Sequence, residues 1–259
     1  MIQRMPRRLI AGVLGLAAFS LAYASLPARA QESSGQPSAA TLAFEKHLQD
    51  IDTSQGTEAA IDLIGRTVSD ADVDPEKLMG TTRFLSARDT DSADPRYGLT
   101  LAVIEAKLAN TFARNPEHAQ QAAMFQTQSV IRYLGDSLIL REDIARCADQ
   151  TAGQAALHGW QGLTDDMVAM YRQFPADAKE KMREAIDAYD TRKASRPAAA
   201  WVCRDGTNTM PNMGADASAP AADAQSAQPQ PAASPFVDDA TWNARRKAIR
   251  DKLIATLDK

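Results

Sequence analysis

Three short runs punctuate the first half of the chain in the same way: Asp74-Pro75-Glu76, Asp94-Pro95-Arg96 and Asn115-Pro116-Glu117. Each places a side chain that accepts from backbone N–H groups at a helix N-cap, followed by proline at the first helical position, where its missing N–H is not needed. The chain that follows each run is thereby set up to be helical. The residues in between agree, because they are rich in alanine and poor in β-branched residues, which favours closely packed helices over a sheet.

Apolar spacing supplies the rest. A helix opened by Ser38 or Thr41 and running to about Ile51 has Leu42, Phe44, Leu48 and Ile51 on one side, and a second over 57–67 carries Ala60, Ile61 and Ile64, with Val68 next. Pro75 opens a helix expected to reach Ala87, and residues 89–96 read as a polar turn. Pro95 opens a longer helix to Ala113 with Leu99, Val103, Ala106 and Phe112 in step. Pro116 opens the longest, running as far as Thr151, where Gly135 marks either a break or a place of close approach for a neighbour. Beyond Gly153 lie a segment holding Ala156, Leu157, Trp160 and Leu163, a helix capped by Thr164 with Asp165 and Asp166 in its first turn, and an amphipathic helix from Ala176 to Lys193 with Met182, Ile186 and Tyr189 inward.

The fold class is therefore all-α, an irregular multi-helix bundle over residues 40–205. Residues 1–30 have a basic start (Arg4, Arg7, Arg8), an apolar run and the small-x-small site Ala28-Arg29-Ala30, which is the layout of a cleaved export signal. A membrane anchor is the alternative for the apolar run, and the arginine pair leaves the twin-arginine route open. Residues 31–39 read as a disordered lead-in. From 206 to 234 the composition turns to Ala, Pro, Gln and Ser, with too little to bury, and reads as a disordered linker. Residues 235–259 then form an amphipathic tail helix.

Export makes the two cysteines informative. Cys147 and Cys203 are the only ones in the chain, and in an oxidising periplasm or outside the cell two thiols most simply form one disulfide. A redox pair or half a metal site is the alternative, though the spacing is far from C-x-x-C. Charge narrows the partners. Removing a leader with four arginines and no acid moves the formal charge from -4 to -8, a field that repels nucleic acid and anionic lipid.

No motif specifies a reaction. Asp70-x-Asp72-x-Asp74 opens like a calcium loop, but Pro75 stands where glycine is needed and Thr81 where glutamate is needed; Asp89-x-Asp91 fails in the same way. His47, His118 and His158 fall on separate helices without metal spacing. No catalytic residue, metal or cofactor is assigned. Glu105, Glu142, Asp165 and Asp166 are the carboxylates available to a periplasmic hydrolase directed at glycosides or cell wall. The main reading is an exported helical binding or adaptor protein whose tail helix carries Trp242, Ile249, Leu253 and Leu257 on one face and Arg246 among its basic residues. That face is expected to be covered by the acidic domain itself, by another extracytoplasmic protein, or by a peripheral lipid contact.

Overall fold

The computed structural model describes residues 36–69, 74–92, 94–197, 199–204 and 234–258. The expected leader and linker lie outside them, as do Asp70 and Asp72 of the calcium-like run. Among the described residues there is no β-strand, and nine α-helices account for most of the chain. They are α1 (Ala39–Gln55), α2 (Thr57–Ser69), α3 (Pro75–Asp91), α4 (Pro95–Phe112), α5 (Ala119–Arg146), α6 (Ala152–His158), α7 (Gln161–Arg172), α8 (Ala176–Arg192) and α9 (Asp239–Leu257). Short 3-10 turns occupy Pro116–His118 and Ala200–Cys203.

The punctuation caps as the sequence predicts, except that Asn115 and Pro116 open the short 3-10 turn and α5 itself starts only at Ala119. Asp74, Asp94 and Asn115 each accept a hydrogen bond from the backbone N–H two residues on, at 2.9–3.0 Å. Ser38 and Asp238 cap α1 and α9 through the backbone N–H groups of Thr41 and Thr241. Gly56, with φ of +92°, ends α1 in a backbone conformation that a side chain would disfavour.

Helix α4 organises the core because it is buried on two sides. Tyr97, Leu101 and Ile104 join Leu48, Ile64, Phe84 and Leu85 in a cluster formed with α1–α3. Leu99, Ala102 and Ala106 face a second cluster with Val130, Tyr133 and Leu134 of α5, Met167 and Tyr171 of α7, and Met182 and Ile186 of α8. Helix α5 touches α4, α6, α7, α8 and α9, and from Ser129 to Ala145 most of its residues are buried.

Several local expectations change. Leu42 is exposed rather than inward. Helix α3 runs through 89–91 instead of yielding to a turn, because Asp89 is drawn into the interior by partners on α5 and α8. Helix α5 ends at Arg146, where Cys147 turns extended. It is not broken at Gly135; a Cβ there would meet the Tyr189 ring at 2.8 Å, so the glycine serves close approach. Helix α7 begins at Gln161, which places Thr164 inside it. The Thr164 hydroxyl lies 3.0 Å from the Tyr133 hydroxyl, which itself donates to the Trp160 carbonyl.

Cys147 and Cys203 are bonded, with both sulfurs in the main core. The bond ties the end of α5 to the turn that carries Trp201 and Val202. Closing a loop of this length on the chain-entropy account is worth about 4 kcal/mol.

Candidate functional site: a buried ion network under the tail helix

Arg132, Asp136, Asp143 and Arg146 recur along α5 at spacings of three, four and seven residues, which puts them on one stripe. A polar stripe on a helix usually faces water. Here the opposite face is already taken by Val130, Tyr133, Leu134 and Leu140, and the polar stripe is covered as well.

At its first end, four helices meet. Arg132 pairs with Asp89 of α3 and, at 3.2 Å, with Glu105 of α4. Lys193, just beyond α8, donates to Asp89 at 2.8 Å and lies 3.4 Å from Asp136. The Tyr189 hydroxyl sits between Asp89 at 2.5 Å and Asp136 at 2.7 Å. Burial pushes the Asp89 carboxyl up, but Arg132 and Lys193 outweigh it and hold the group below its ordinary range. Burial pushes Glu105 up by more than Arg132 lowers it. Burial and the neighbouring Asp89 charge push Asp136 up to about 7.

At the second end the tail helix closes the network. Arg196 donates to Asp143 at 3.0 Å and to Glu142 at 3.3 Å, and also reaches the Ile139 carbonyl. Arg246 of α9 spans Asp190 at 2.9 Å and Glu142 at 3.0 Å, while Arg250 reaches the same Asp190 at 3.1 Å and also pairs with Asp187. Glu142, Asp143 and Asp190 are fully enclosed at their side chains. Burial, and for Glu142 the charge of Asp190, pushes Glu142 up to about 7; burial pushes Asp143 up to about 6. One oxygen of each, Glu142 Oε1 and Asp143 Oδ2, meets no donor among the described residues, which fits this raised proton affinity.

The tail is seated by three further contacts. Trp242 donates from its indole to the Glu142 carbonyl at 3.1 Å and lies under the Arg146 guanidinium, 3.6 Å from its ring centre. Arg245 donates to the Ala145 and Cys147 carbonyls, at the C-terminal end of α5 where helix carbonyls lack intrahelical donors. Pro235 and Val237 pair with Ala148 and Arg146 through backbone bonds of 2.8 Å, flanking Cys147. The disulfide therefore holds the strip of chain on which the tail segment is laid.

Of the tail residues singled out from sequence, the structure buries Trp242 and Leu257, sets Ile249 and Leu253 half-buried, and places Arg246 in the network. The carboxylates proposed for hydrolysis are not gathered: Glu105 bonds Arg132, Glu142 bonds Arg196 and Arg246, and Asp165 and Asp166 are exposed on α7. His158 is exposed at the end of α6. Sequence reasoning missed Asp89, Arg132, Asp136, Asp190, Lys193 and Arg196. The available signal was the charged stripe on α5 opposite its apolar face, together with Gly98 and Gly135, where a Cβ would collide with Asp136 and with Tyr189.

A partly open cleft of about 250 Å³ lies between α8 and α9. Leu138, Ile186, Leu253, Ile254 and Leu257 give it an apolar lining, with Arg183, Glu184, Asp187 and Arg250 among its other lining residues. Among the described residues no three His, Cys, Asp or Glu side chains are grouped to hold a metal ion, and no helix is long and apolar enough to cross a membrane. Compared with protein-family models, curated proteins and solved structures, the chain matches none of them.

Proposed function

We propose that this is an exported helical binding protein that recognises another extracytoplasmic protein at the surface where α9 lies beside α8. The observation that carries the reading is the cleft between these helices. Its lining is apolar, it is bordered by charge of both signs, and Ile254 of the tail helix remains 40% exposed beside it. An apolar centre within a polar surround is the usual make-up of a protein-recognition patch. The leader-like N-terminus and the buried disulfide support an oxidising compartment. The hydrolase alternative draws nothing from the geometry, because Glu105 and Glu142 are enclosed and bonded to arginines rather than presented in a cleft.

The test is Ile254→Glu in the full chain, used beside the unaltered protein to crosslink and capture from the extracytoplasmic fraction of its own source. The substitution is on an exposed helix face and should change stability by no more than about 0.5 kcal/mol. A protein held by the unaltered chain and lost by the variant is the expected result. Identical captures by both, or none by either, overturn the reading.

A further inference from the structure

The Tyr189 hydroxyl has one proton and three polar neighbours: Asp89 Oδ1 at 2.5 Å, Asp136 Oδ2 at 2.7 Å and Lys193 Nζ at 2.9 Å. Lysine only donates. If the hydroxyl donates to Asp89, the Asp136 oxygen faces a hydroxyl lone pair and has to supply a proton of its own. If the hydroxyl donates to Asp136, the same deficit falls on Asp89. Either way the two carboxyls and the phenol hold one proton more than ionised aspartates would. Asp89 is the partner of both Arg132 and Lys193; among the described residues Asp136 pairs with only one cation, Lys193 at 3.4 Å, and its side chain is fully enclosed. The extra proton therefore belongs to Asp136.

The charge count also requires one proton on a carboxyl of this set. The groups acting on Asp136 are Asp89 from α3, Arg132 from its own helix, and Tyr189 and Lys193 from α8 and its end, and Glu105 from α4 joins the set through Arg132. Two cations stand against three carboxyls, and the enclosed set is neutral only when one carboxyl is protonated, which avoids the cost of an uncompensated buried charge. The carboxyl also has no room to turn away, because it packs where a Cβ on Gly98 would be.

We propose that Asp136 is held as a neutral carboxylic acid donating to the Tyr189 hydroxyl, and that this single proton latches α8, and through it the tail helix, onto α5. The route to the tail is short. Tyr189 and Lys193 hold α8 to the Asp136 end of the network, and Asp190, next to Tyr189, grips Arg246 and Arg250 of α9. Burial and the Asp89 charge raise the proton affinity of Asp136 in the direction this requires. Because the folded state binds this proton more tightly than the unfolded chain, its contribution to stability is complete below an ordinary aspartate pKa of about 4. It is lost as pH rises from there to the folded value of about 7, by about tenfold in the folding equilibrium per pH unit.

Urea unfolding of the full chain and of Asp136→Asn, from pH 5 to pH 7, tests this. The amide donates to Tyr189 without titrating, so the folding equilibrium of the unaltered protein should fall relative to the variant by about tenfold per pH unit. Infrared difference spectra near pH 6, unaltered protein minus Asp136→Asn, should show one protonated carboxyl band beyond those of Glu142 and Asp143, which both proteins keep. Equal pH slopes and equal bands in the two proteins overturn the proposal. If Asp136→Asn does not fold, Tyr189→Phe decides: loss of the acceptor should shift that carboxyl band, and an unshifted band overturns the proposal.

Discussion

Helices α1–α3 attach mainly to α4 and the α8–α9 pair attaches mainly to α5, by different chemistry. The front attachment is apolar: Leu48, Ala60, Ile64, Phe84 and Leu85 close against Tyr97, Leu101 and Ile104. The ion pairs between α3 and α1, Arg83–Glu45 and Arg88–Asp52, have arginines about a third exposed, where such pairs contribute little; Asp89, near the end of α3, is the front's link to the buried network, through Arg132. At the back, apolar anchors such as Trp242 and Leu257 stand beside a network in which Glu142, Asp143 and Asp190 are completely enclosed. Apolar contact tolerates small shifts in register, whereas a buried charge is tolerable only when its partner is in place. The back of the molecule is therefore held in one specific arrangement, and it is the part whose stability is expected to change with pH.

The largest expected effect breaks the back. Arg196→Ala leaves Glu142 and Asp143 short of a buried partner and should cost about 3–5 kcal/mol at neutral pH, measured by urea unfolding. Both carboxyls already have raised proton affinity, about 7 and about 6. A raised folded-state value means stability that is present at low pH and lost as pH rises from the ordinary carboxyl range to those values. The defect should therefore be smaller at pH 5, where the orphaned acids are neutral, than at pH 8.

Removing the disulfide comes next. Cys147→Ala with Cys203→Ala should cost about 4 kcal/mol on the chain-entropy account, read from the denaturant midpoint. Because Pro235 and Val237 pair with the residues flanking Cys147, hydrogen exchange should speed up first in the tail segment and at Trp201–Val202. Uniform protection across the tail would show that the disulfide does not support its docking.

Leu85→Ala sharpens the contrast from the front. It removes a fully buried side chain and should cost about 2–5 kcal/mol, with the same defect at pH 5 and pH 8. A pH-dependent defect in this variant, or a pH-independent one in Arg196→Ala, would erase the distinction between the two attachments.

The parts of this arrangement that were legible in the sequence depend on near neighbours. The disulfide followed from there being only two cysteines in a chain with an export-type leader. The inward residues Met182 and Ile186 followed from helical spacing, as did an amphipathic tail. Whether the tail was free, docked on its own domain or docked elsewhere was not legible, because the same Trp242–Leu257 face suits all three. Nor was the ion network, whose members come from α3, α4, α5, α8 and α9 and whose bonded partners lie up to about a hundred residues apart.

What the sequence by itself determined is where α3 and α4 start and which side of most helices is apolar. A cap such as Asp74 or Asp94 bonds a backbone N–H two residues away, so its effect is complete within one turn. Only the tertiary structure decided that the charged stripe of α5 points inward. Arg132, Asp136 and Asp143 would be at home in water on an isolated helix. They are buried because Asp89, Glu105, Tyr189, Lys193 and Arg196 arrive from other helices to replace that water, and no local pattern of residues records which distant partners will meet.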